Sequence, residues 1–193
     1  MLPPALDMPG ADDWPASAAL RRVLYDPVSY LHPQRRPPQH PRGNDWLVAA
    51  HGLQLSCPTL SWYARRWVGH WLLLPQVALA LGCQLERDAL GWGGAWLGLP
   101  GWARNFALLD PGHPPSAPSR PQHPADPLLS GYRLLLGHAL QQLPPPLLQR
   151  LPLLFPPRCD GVAVAPQPLQ TLWFDLALLH AQNHPDPAAV GCA

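Results

Sequence analysis

Residues 72–109, LLLPQVALALGCQLERDALGWGGAWLGLPGWARNFALL, form the longest stretch of the chain in which apolar residues dominate and a helical period can be followed. Pro75 suits the first turn of a helix, where its missing N–H costs nothing. Val77, Ala78, Leu79, Ala80 and Leu81 then leave no polar face, the mark of a helix buried on all sides. Gly82 is a residue type that takes the left-handed conformation ending a helix, so a stop is predicted there. Beyond it Leu85, Ala89, Trp92, Trp96 and Leu99 recur at steps of three and four, which predicts a second, one-sided helix. Pro100-Gly101 breaks the run, and Trp102, Phe106 and Leu109 resume it on a short third helix. The segment reads as a central helix packed by its neighbours.

Those neighbours have to be short. The chain has 193 residues, 29 of them proline, and only 13% are charged against 47% hydrophobic. That composition supports a real core but excludes long coiled coils and continuous sheets, because proline interrupts both. Working outward, Asp26-Pro27 predicts a capped helical turn through Tyr30-Leu31, ended by His32-Pro33. Residues 34–43 then read as an exposed basic loop carrying Arg35 and Arg36. Asn44 or Asp45 caps a helix from Trp46 to about Leu55. The segment 59–71 mixes Trp62, Trp67 and Trp71 with Arg65-Arg66.

C-terminal to the central stretch, residues 110–127 are rich in Pro, His and Ser with no periodic signal, longer than the roughly 12–15 residues usual for an unstructured connection. A disordered or surface loop is expected. Leu128, Leu129, Tyr132, Leu135, Leu136, Ala139, Leu140 and Leu143 then follow one helical face. A short helix with Leu147, Leu148 and Leu151 comes next, then one short strand through 162–164. The last helix runs from Pro168 to about His180 with Leu169, Leu172, Trp173, Leu176 and Leu179 inward. The fold class is mainly α: a single compact domain over 17–182, with flexible tails at 1–16 and 183–193.

Few chemistries survive this reading. Net charge is +1, all basic side chains are Arg, and they fall in scattered pairs (Arg21-Arg22, Arg35-Arg36, Arg65-Arg66), so there is no electrostatic footprint for nucleic acid. Four cysteines lie far apart without a C-x-x-C pair, which points to a reducing cytosol and gives no zinc spacing. No run reaches the roughly 20 apolar residues of a membrane span. Nine histidines are present, but several fall in segments without a scaffold, and H-E-x-x-H, G-x-S-x-G and phosphate-loop motifs are absent. No catalytic residue, metal or cofactor is assigned. The tryptophan surplus points elsewhere, since Trp and Arg dominate binding hot spots. Trp62, Arg65, Arg66 and Trp71, with Arg35 and Arg36, are therefore candidate partner-binding residues.

The run Leu24-Tyr25-Asp26-Pro27-Val28-Ser29-Tyr30-Leu31-His32-Pro33 resembles the P-x-x-Y-L-H signature of type III secretion sorting-platform adaptors, the SctK family. That family includes YscK and PscK, with OrgA and MxiK as functional equivalents. The order of later elements resembles it too: Leu81-Gly82, then Leu85-Glu86-Arg87, a Pro-rich gap, and Ser130-Gly131 heading a Leu-rich helix that leads to Leu151-Pro152. The resemblance covers about residues 20–180. It implies a cytoplasmic, non-enzymatic adaptor at the inner membrane, joining the cytoplasmic domain of the inner-membrane ring protein to the pod protein and through it to the stator and ATPase. Tyr30, Leu31 and His32 carry over as motif residues, in a packing or a partner-binding role. Two other readings stand beside it: a peripheral membrane protein using the Trp/Arg segment, and a small hydrolase-type enzyme with a His-containing site.

Overall fold

The computed structural model describes residues 16–36, 43–56, 59–91, 94–109, 126–162, 164 and 169–184. The described residues form α1 (Ala16–Tyr25), α2 (Asn44–Ala50), α3 (Trp62–Gly69), α4 (Leu74–Leu85), α5 (Arg87–Leu90), α6 (Gly101–Ala107), α7 (Pro127–Gln142), α8 (Pro145–Leu148) and α9 (Thr171–Asn183), with 3-10 turns between several of them. No strand occurs among them, which makes the fold mainly α.

The core is built around α4. Every residue from Leu74 to Gln84 is buried, and α7, α6 and α9 all pack against this helix. Pro75 occupies its first turn as the sequence predicts. Gly82, however, does not end it: the helix continues to Leu85. Gly82 serves packing instead, because a Cβ there would fall 1.6 Å from the Pro127 carbonyl oxygen at the start of α7. The partner position is Gly131, where a Cβ would fall 1.7 Å from the Ala78 carbonyl oxygen. Ala78 and Gly82 on one helix and Pro127 and Gly131 on the other thus let two backbones meet.

Other boundaries also shift. The one-sided helix expected over Leu85 to Leu99 is instead the single turn α5 followed by a 3-10 turn at Ala95–Gly98, with Gly94 at φ 76° turning the chain; Trp92 lies outside the described residues. The helix from Trp46 ends at Ala50, since Gly52 takes φ 57° just beyond it. Val162 and Val164 form no strand, and Ala163 between them lies outside the described residues. The final helix begins at Thr171, not Pro168, which is itself outside the description, as are 1–15 and 110–125, the bulk of the expected tail and loop.

In α9 the wheel is turned relative to expectation. Trp173, Phe174, Ala177, Leu178 and Ala181 are buried, whereas Leu172 and Leu179 are 52% and 54% exposed. A helix apolar almost all round has no face that sequence can single out.

Two side chains lock the peripheral turns to this core. Arg150 is completely buried, and its guanidinium donates to the Pro146 carbonyl at 2.7 Å and to the Leu24 carbonyl at 2.9 Å, joining α8 to the end of α1. Burial pulls its pKa down from the usual arginine value, while Tyr30 beside it works in the opposite direction. Arg35 donates to the Phe155 carbonyl at 2.6 Å and the Pro156 carbonyl at 3.3 Å and grips Asp160 with two nitrogens.

Candidate partner interface

The motif residues Tyr30, Leu31 and His32 lie inside the fold, at 6%, 5% and 3% exposure. Tyr30 closes the 3-10 turn Pro27–Tyr30, and its hydroxyl donates to the Val23 carbonyl at 2.7 Å while its ring meets Trp71 edge-on at 6.1 Å. Burial pushes its phenol above the usual tyrosine range. The backbone N–H of His32 donates to the Leu153 carbonyl at 2.9 Å, and its Nδ1 accepts from the Gln34 N–H at 3.2 Å. In this geometry Tyr30 ties the turn back to α1 and Trp71, and His32 fastens the chain to the turn Leu151–Leu154.

Trp71 is 3% exposed, so burial removes this candidate from the surface in this fold. Arg35 is equally occupied, its side chain only 10% exposed and spent on the bonds described above. Arg36 is exposed.

The remaining candidates converge on α3. Ser61 caps this helix by accepting from the Ala64 N–H at 3.2 Å, which fixes where the wheel starts. Ala64, Trp67 and Val68 then turn inward, with Trp67 stacked on Phe174 of α9 at 4.8 Å. Trp62 and Tyr63 are left outside, 56% and 42% exposed, and stack on each other at 4.4 Å. The Arg66 guanidinium sits 6.0 Å from the Trp62 ring centroid, within cation–π range, and pairs with Asp175 of α9 at 2.7 Å. Arg65 is half-buried.

Asp175 brings a second helix to the patch. Leu172, Asp175 and Leu179 share one face of α9 by their spacing, so two exposed leucines flank the acid that holds Arg66. The result is an apolar surface of stacked rings and leucines with a partly neutralised ion pair between them. Trp62 and Arg66 were visible in the sequence as residue types; Leu172 and Leu179 were missed because only the α3–α9 packing shows which side of α9 is covered.

No group of three or more His, Cys, Asp or Glu able to hold a metal occurs among the described residues. Burial pushes the Cys83 thiol up to about 12, helped by Glu86, and the Cys159 thiol up to about 11. Thiols held protonated in this way are poor nucleophiles. His138, packed beside the stacked Trp67 and Phe174 rings, has its pKa lowered by burial and accepts from the Leu169 N–H at 3.4 Å, the arrangement of a core histidine. No single helix among the described residues is long and apolar enough to cross a membrane.

Comparison with known proteins agrees with the chain-order resemblance. Residues 20–183 match the family model described as bacterial type III secretion apparatus protein (OrgA_MxiK). The oxygen-regulated invasion protein OrgA of Salmonella typhimurium, in strains LT2 and SL1344, is 36% identical over 179 residues, covering 86% of this chain and 88% of the relative. No solved structure gives a significant match. The matched region takes in the motif turn, α3, the α4–α7 contact and α9 together, and the chain belongs to the OrgA/MxiK family of bacterial type III secretion apparatus proteins.

Proposed function

We propose that this protein is a non-enzymatic adaptor of the secretion apparatus, working at the cytoplasmic face of the inner membrane. It links the cytoplasmic domain of the inner-membrane ring protein to the pod protein, and through the pod to the stator and ATPase. The observation that carries the reading is the patch of Trp62, Tyr63, Arg66, Leu172 and Leu179: exposed rings and leucines around a cation held in place, on a protein of an apparatus family. A handful of Trp, Tyr and Arg side chains in such a patch supplies most of the affinity of a protein interface.

The test is co-purification of the chain with the ring protein's cytoplasmic domain and, separately, with the pod protein. Both are expected to bind. Trp62→Ala is expected to weaken one of the two by about 2 kcal/mol or more, roughly 30-fold in Kd. Binding to neither protein overturns the reading.

A second reading has one observation in its favour, since exposed Trp beside Arg also suits a lipid interface. Flotation of the chain with vesicles in the absence of any protein partner, lost in Trp62→Ala, would favour it.

A further inference from the structure

An adaptor needs two faces, and the α3–α9 patch is one. Between α1 and the junction of α3 and α4 lies a cleft of about 340 Å³, walled by Ala18, Ala19 and Arg22 of α1 and by residues 68–73, with Tyr30 also lining it. The lining is largely aliphatic. Leu72 lies in it 51% exposed, and Gly69, also in the wall, has nothing within 4 Å of the position a Cβ would take, which leaves the cleft open beside it. A space of this size accepts a few side chains of a docked helix or peptide and is at the small end for a ligand pocket.

Its charge is one-sided. α1, α3 and the turn Trp71–Leu73 carry four arginines and no Asp or Glu; Arg22 lines the cleft, Arg21 is its exposed neighbour on α1, and Arg66 is committed to Asp175. Among the described residues, Asp175 of α9 pairs with Arg66, and Asp26 accepts from Asn44 at 3.1 Å. Arg21 and Arg22 are exposed, and Arg22 spends only its Nε on Ser29, at 3.2 Å. In a chain of net charge +1, this is a local surplus of positive charge beside an apolar cleft.

We infer that the cleft between α1 and residues 68–73 docks an acidic amphipathic peptide segment of a protein partner, apolar side chains inserted beside Leu72 and carboxylates facing Arg22 in the wall, with Arg21 next to it on α1. The inference takes its partner from the adaptor reading and assigns that partner a second surface, separate from Trp62. The apolar lining gives the depth and the arginines give the polarity, so a basic or a purely apolar segment lacks one of the two recognitions.

The test uses the full chain and a fluorescein-labelled amphipathic peptide of roughly 14 residues, about four helical turns, with Leu on one face and Glu on the other. A twin with Lys in place of Glu is the control. The Glu peptide is expected to bind saturably, with binding weakened at least tenfold in Leu72→Asp and in the double variant Arg21→Glu, Arg22→Glu, and unchanged in Trp62→Ala. These substitutions fall on exposed positions, and helical circular dichroism verifies that the variants fold. Equal binding of the Lys twin, no saturable binding, or full binding by both cleft variants overturns the inference. So does flotation with phosphatidylserine vesicles that depends on Leu72 and Arg22 without peptide binding, which assigns the face to a membrane. If the Glu peptide binds at the cleft while neither apparatus protein does, the adaptor reading falls and the cleft remains a peptide site. If both apparatus proteins bind but the peptide does not, the cleft falls alone.

Discussion

Gly82 of α4 and Gly131 of α7 lie where the two helix backbones touch: a Cβ on Gly131 would be 2.8 Å from the Gly82 nitrogen, and one on Gly82 would be 2.9 Å from the Gly131 nitrogen. These contacts are to backbone, so nothing at the crossing can rotate away to make room. Either Gly→Ala substitution forces the central helix pair apart, and a loss of about 1–3 kcal/mol or more is expected in urea unfolding. Gly69→Ala is the matched control. Nothing lies within 4 Å of its Cβ position, it sits in α3, and alanine there is expected to be neutral or stabilising by up to about 1 kcal/mol.

Arg150→Met should act through carbonyls and not through charge. It removes the donors that the Leu24 and Pro146 carbonyls use inside the core, and each buried acceptor left unpaired costs about 1–3 kcal/mol. Methionine fills most of the volume, so a marked fall in the urea midpoint isolates the hydrogen bonds. Helical circular dichroism shows whether the remaining helices survive.

Arg35 and Asp160 separate a structural arginine from a partner-binding one. Asp160 is 51% exposed at the side chain, so Asp160→Asn is expected to cost about 0.5 kcal/mol or less, as exposed ion pairs do. Arg35→Ala also loses the bonds to the Phe155 and Pro156 carbonyls, and is expected to cost about 1–3 kcal/mol. If Arg35→Ala leaves stability unchanged and abolishes partner binding, its role is at an interface after all.

Stability is expected to fall as pH drops below about 6.5. His138 and His70 both have pKa values lowered in the folded state, His138 by burial and His70 by burial and then by Arg66. A group held neutral by the fold binds its proton first in the unfolded chain. The unfolded state therefore gains from each fall in pH between the ordinary histidine pKa and the lower folded one. Urea midpoints measured from pH 7.5 to pH 5 check this, and His138→Gln should flatten the slope.

The sequence showed the central helix and its burial because an all-apolar run with a proline at its start has few other solutions. It also showed α7 as a helix and the family motif, although Leu140 of the expected inward face is exposed and Leu134 outside it is buried. It misread Gly82 as a stop, since the same residue type serves a helix end and a close helix crossing, and only the presence of Gly131 opposite decides between them. Arg150 was overlooked inside LLQRLPLLF, although a lone cation among apolar residues with no acid nearby is a signal that backbone carbonyls hold it. Of the proposed interface, α3 was readable from its Trp and Arg content. Its other half, Leu172 and Leu179, depended on long-range packing, and Trp71 was indistinguishable by type from Trp62 although one is buried and the other exposed.

The proposed adaptor role requires one chain to hold two apparatus proteins at once. The most direct measurement mixes the purified chain with the ring protein's cytoplasmic domain and the pod protein and determines the mass of the complex by size-exclusion chromatography with light scattering. The expected result is a single ternary species that forms only when this chain is present and splits to a binary one in Trp62→Ala. Mutually exclusive binding of the two proteins, or no complex with either, would rule out a bridging role.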